Sequence, residues 1–142
     1  MHTILVPVDG SPSCTRAVEY AIRQVQRNTG SELLFLHMQL PILVYGEIAV
    51  YAGDERARAM AAEHSQALLA PAEQAARTAG VAFRSLIVEG DIAEGIADTA
   101  RDQKVECVIM GTRGLGRVAA LVMGSVAVKV VHLVEVPVTL VK

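Results

Sequence analysis

Tryptophan is absent from the chain, and two phenylalanines and three tyrosines are its only aromatic residues. Its core must therefore be aliphatic, filled by alanine, valine, leucine and isoleucine. Cysteine is as scarce: Cys14 and Cys107 are too few for a disulfide scaffold, which suits a reducing compartment. Neither sign of charge is in excess, with 13 Lys and Arg against 15 Asp and Glu and a formal net charge of −2. A nucleic-acid or anionic-membrane surface resting on a basic excess is thereby excluded. No uncharged apolar run approaches the ~20 residues of a membrane span. No signal-peptide pattern precedes the strand-like Thr3-Ile4-Leu5-Val6. The expectation is a soluble, cytoplasmic protein with no nucleic-acid or membrane partner.

What is abundant is apolar side chain, 52% of 142 residues against 20% charged. That balance excludes a disordered polymer, and the length fits one domain, residues 1–142, with a core of its own. Short apolar runs alternate with helical patterns throughout. Ile4 to Val8 reads as a strand buried on both faces and ended by Asp9-Gly10. Ser11-Pro12 then has the chemistry of a helix start, a hydroxyl cap before a proline at the first helical position. Cys14, Ala17, Val18, Ala21, Ile22 and Val25 form one helical face behind it, with Gly30 as the expected left-handed cap.

Leu33 to Met38 is the second buried strand. Gln39 to Gly53, containing Pro41 and Gly46, is a connection long enough to be a binding loop. Asp54 to Ala79 reads as an Ala-rich helix whose stripe is Met60, Ala61, His64, Leu68, Ala72, Ala75, Ala76 and Ala79. Pro71 falls inside it and predicts a kink. Val81 to Val88 is a third strand. Asp91 and Glu94 have capping-box spacing, and Ile92, Ile96, Ala97 and Ala100 line the helix that follows. Val105 to Met110 is a fourth strand, Gly111 to Met123 a glycine-punctuated loop, Gly124 to Val134 a helix, and Pro137 to Val141 a last strand suited to an edge. Five strands alternating with four helices predict an α/β fold, a parallel sheet covered on both faces.

In such a sheet ligands bind beyond the carboxyl ends of the strands, where the winding reverses. The groups at those ends are Asp9-Gly10 and the loop Gly111-Thr112-Arg113-Gly114-Leu115-Gly116-Arg117 through Gly124-Ser125. Glycines let backbone approach an anion closely. A helix opening at Gly124-Ser125 offers free N–H groups and a favourable dipole, and Arg113 and Arg117 carry charge suited to phosphate. The segment is not a Walker A loop, because Arg117-Val118 replaces the Lys-Ser/Thr pair that reaches phosphate and magnesium. Nor is it a dinucleotide fingerprint, since no carboxylate ends the next strand to hold a ribose.

Several residues have two readings. Asp9 either turns the chain or meets a ligand at the reversal point. Arg113 and Arg117 are either phosphate contacts or solvated surface. Cys14 is either a thiolate activated by a helix start or a packed thiol on an apolar stripe. His2, His37, His64 and His132 lack metal-site spacing, so no metal ligand is assigned. Ser125 has no assignable histidine base, so no catalytic residue is assigned.

The spacing Gly111-x2-Gly114-x9-Gly124-Ser125 resembles the ATP-binding signature of the universal stress protein family. Ile4 to Ser11, Glu89-Gly90-Asp91 with Ile96, Val108 to Gly114, and Val136-Pro137-Val138 resemble that family's strand ends over essentially the full chain. The resemblance implies a three-layer α/β/α, Rossmann-like fold of the adenine nucleotide alpha hydrolase type, with strand order 3-2-1-4-5. It implies that Pro7, Val8 and Asp9 contact the adenosine, and that His37, Met38 and Met110 flank the base. It places Gly111 against the ribose and Gly114, Gly124, Ser125 and Val126 at the phosphates, with Arg113 beside them. The ligand it implies is ATP, or AMP or ADP, accompanied by magnesium, bound as a regulator in a stress response. It also implies a homodimer joined through the last strand, Val136–Val141. The alternatives are a slow ATPase or phosphotransfer enzyme on the same site, and a nucleotide-free dimeric scaffold.

Overall fold

The computed structural model describes residues 2–41, 54–114 and 123–142. Among them the order is β1 (His2–Pro7), α1 (Pro12–Arg27), β2 (Ser31–Gln39), α2 (Asp54–Thr78), β3 (Phe83–Glu89), α3 (Ile92–Asp102), β4 (Cys107–Gly111), α4 (Ser125–Leu133) and β5 (Val138–Val141). The strands form one sheet in the order β3-β2-β1-β4-β5, with every pair parallel. This is the α/β arrangement expected, Rossmann-like and with helices on both faces.

The alternation of strand side chains builds two cores. Ile4, Val6 and Val8 of the first strand segment, Leu33 and Phe35 of β2, and Ile109 of β4 face Ala17, Val18, Ala21 and Ile22 of α1 and Leu69, Ala72 and Ala76 of α2. Leu5, Leu34, Leu36, Met38, Val108 and Met110 point the other way, against Ala93, Ile96 and Ala100 of α3 and Ala127 and Val130 of α4. That is why these strands read as continuous apolar runs rather than alternating ones.

Local chemistry sets the boundaries. Ser11 caps α1, accepting from the Cys14 N–H, with proline at the first helical position. Asp91 caps α3, accepting from the Glu94 N–H at 3.0 Å, as the capping-box spacing predicted. The end of α1 differs from expectation. The helix stops at Arg27, and Asn28 is the cap, its N–H shared between the Gln24 and Val25 carbonyls. Gly30, with φ of +87°, instead turns the chain into β2, where its carbonyl accepts from the His2 N–H.

The stripe on α2 also needs correction. The helix runs unbroken through Pro71, but Met60 is 63% exposed and Ser65, Leu69, Ala72 and Ala76 are the buried positions. Its C-terminal half packs on the sheet, whereas Ala61, His64, Ser65 and Leu68 stand over a cavity at the sheet's carboxyl end. At the opposite end the strands are tied by side chains. Glu32 accepts from Thr3 and Arg84, and Arg84 also donates to Gln103.

Candidate functional site

The site begins where β1 runs out. Asp9 Oδ1 accepts from the Ser11 N–H at 2.8 Å, and Gly10 between them has φ of +79°, a turn that glycine makes without strain. The turn aims the start of α1 at the end of β4. There Ser11 Oγ and Ser13 Oγ both donate to the Arg113 carbonyl, at 3.1 and 2.5 Å, and the Arg113 N–H donates to Ser13 Oγ at 3.3 Å. Two serines of one helix thus hold the backbone of the glycine-rich turn. Gly111 permits this contact: a Cβ there would collide with Ser13 Oγ and lie 2.8 and 2.9 Å from the Ser13 and Cys14 backbone.

The same turn docks α4. Gly124 caps that helix, with no side-chain cap, and its N–H donates to the Thr112 carbonyl at 2.6 Å. The first-turn N–H groups of Ser125, Val126 and Ala127 have no partner within the helix and carry its positive dipole end. All three residues line the cavity. Across it, the Asp9 carboxylate approaches Gly114 so closely that a Cβ on Gly114 would sit 3.2 Å from Asp9 Oδ2.

The second strand supplies the next wall. His37 is 9% exposed, and its Nδ1 lies 2.7 Å from the Val8 carbonyl. A carbonyl only accepts, so Nδ1 carries a proton and is the donor of this bond. Two residues on, Gln39 Oε1 accepts from Ser65 of α2 at 3.1 Å. Met38 points to the opposite face of the sheet, beside Met110, Ile92 and Ile96. Cys14 behaves as a packed thiol: its Sγ donates to the Pro7 carbonyl at 3.6 Å, and burial pushes it above its ordinary pKa.

These groups enclose one cavity of about 590 Å³, within the range of small-molecule sites. Pro7, Val8, Asp9, His37, Met38, Met110, Gly111, Arg113, Gly114, Gly124, Ser125 and Val126, the twelve residues singled out above, all line it. Arg117, Gly116 and the apolar stretch 118–122 lie outside the described residues, as does 42–53 of the long second connection. Residues that received no site role from the sequence are the serine clamp of Ser11 and Ser13 and the α2 wall. Two hydroxyls beside a cap at Ser11 were the available signal for the clamp. Among the described residues no three His, Cys, Asp or Glu side chains are grouped to hold a metal ion. No described helix is long and apolar enough to cross a membrane.

Comparison with known proteins agrees with this architecture. A universal stress protein of Thermus aquaticus is 35% identical over 99% of this chain and 98% of its own length. A universal stress protein of Archaeoglobus fulgidus, solved in complex with dAMP, superposes with a TM-score of 0.74 at 21% identity, covering 100% of this chain and 98% of that one. A universal stress protein family member of Arabidopsis thaliana, solved with AMP bound, gives a TM-score of 0.73 at 24% identity over 100% and 92%. At such identities the two solved structures speak for the fold. The model of the universal stress protein family matches residues 1–142, and the chain belongs to that family.

Proposed function

We propose that this protein binds an adenine nucleotide, ATP or its ADP and AMP counterparts, in the cavity at the carboxyl end of its sheet, and does so as a cytoplasmic regulator in a stress response. One observation carries the reading. The Asp9 turn, the serine-clamped turn at Arg113 and the free N-terminus of α4 converge on a single cavity of nucleotide size. An apolar recess beside a cluster of backbone N–H donors is the donor set that a base and a phosphate chain require. The AMP and dAMP complexes of the related folds support the same ligand class.

In this reading His37, Met38 and Met110 hold the base, and Pro7, Val8, Asp9 and Gly111 the ribose side. Gly114, Gly124, Ser125 and Val126 bind phosphate, with the exposed Arg113 side chain adding charge. Magnesium arriving with ATP would be held by phosphate oxygens and water. The assembly is a homodimer through the last strand.

Calorimetric titration with AMP, ADP and ATP, with and without magnesium, tests the reading. A Cβ at Gly124 would already lie 3.4 Å from the Thr112 carbonyl. The branches of valine add bulk at the start of α4, where phosphate would have to approach, and Gly124→Val is expected to abolish binding in folded protein. Unchanged affinity in that variant would remove the phosphate assignment.

A further inference from the structure

Gly95 lies inside α3, where glycine is less favourable than alanine. Its backbone does not require glycine, for it is not among the residues of positive φ. The reason is space. The Sδ and Cε atoms of Met38 occupy the position that a Cβ would take on Gly95. Met38 lines the cavity, as do Ile92 and Ile96 of the same helix, yet its thioether end is seated in the helix surface.

We propose that the Met38–Gly95 interlock determines which bases the site accepts, by drawing the methionine end out of the cavity and fixing the room left beside the base. The inference rests on the nucleotide reading above. Methionine has three rotatable bonds and moves readily. Ala93, Ile96 and Leu36 share its buried core, and such a core resists compression. A side chain at position 95 therefore displaces the thioether toward the open side, into the space of the ligand.

The test compares AMP with etheno-AMP, whose adenine carries a third fused ring, on wild type, Gly95→Ala, Met38→Ala and the double variant. Gly95→Ala is expected to weaken AMP about tenfold, the order set by one misplaced group in a pocket. Removing the thioether as well is expected to restore AMP to within about threefold of Met38→Ala alone, the signature of direct coupling. Met38→Ala is expected to raise affinity for etheno-AMP relative to AMP about tenfold, a ratio that a merely structural packing role would leave alone. Should Gly95→Ala fail to fold, that ratio decides. An unchanged ratio, or a folded Gly95→Ala that binds AMP like wild type, overturns the proposal by itself. Wild-type protein that binds neither nucleotide overturns the nucleotide reading, and this inference with it.

Discussion

Asp9 shows how one side chain serves two neighbours. One carboxylate oxygen is occupied by the Ser11 N–H, while the other faces Gly114 across the cavity. The turn needs only an acceptor, whereas the proposed contact with adenosine would draw on the charge. Asp9→Asn keeps an oxygen for the turn, so its stability to urea should stay close to wild type while nucleotide affinity falls. Asp9→Ala loses both, and its affinity should fall roughly ten- to hundredfold, as for one hydrogen bond to a charged group worth about 1.5–3 kcal/mol. Paired denaturation and calorimetry on the two variants check this. Wild-type affinity in both would leave Asp9 with the turn alone.

Among the elements, α1 and β4 are joined through the Ser13 hydroxyl, which both donates to and accepts from the Arg113 backbone. Ser13→Ala leaves the part-buried Arg113 N–H without this acceptor and its carbonyl with Ser11 alone, at a cost of about 0.5–1.5 kcal/mol. A lower urea midpoint with an unchanged slope is expected, together with weaker nucleotide binding as the turn loosens. An unchanged midpoint would show that Ser11 suffices to hold the turn. The strands and helices were legible because burial on both sheet faces writes unbroken apolar runs, and because Ser11-Pro12 and Asp91-x2-Glu94 are caps with a local mechanism. The phase of α2 was not. Alanine recurs on every side of it, and adjacent Leu68 and Leu69 divide between cavity and core. The glycine spacing and Asp9-Gly10 revealed the strand-end half of the site. The wall from Ala61 to Leu68 stayed hidden, since nothing local in a helix states which end of the sheet it will cover.

For the molecule as a whole, β5 is one of the two edge strands of the sheet among the described residues, β3 being the other. The Pro137 and Val141 carbonyls accept from Val108 and Thr112 of the β4 side. By strand alternation the backbone groups of Val138 and Leu140 therefore face outward. A bare apolar edge invites pairing, and a second copy presenting the same strand would satisfy it about a twofold axis. Light scattering should accordingly report a dimer. The amide protons of Val138 and Leu140 should exchange more slowly as protein concentration rises. A monomer at high concentration, or exchange at those two amides that ignores concentration, would refute pairing through β5.

The placing of β1 between β2 and β4 has a consequence in time. The strand at the middle of the sheet is synthesised ahead of every other, and one of its flanks waits until β4 has been made. The hydroxyls of Ser11 and Ser13 meet their acceptor on a residue 102 and 100 positions further along. On the ribosome the cavity lacks the wall of the fourth strand until that strand emerges, and the wall of α4 until that helix follows. A growing chain thus carries the Asp9 turn long before the cavity beside it can be walled in, and the proposed ligand site is completed only near the end of synthesis.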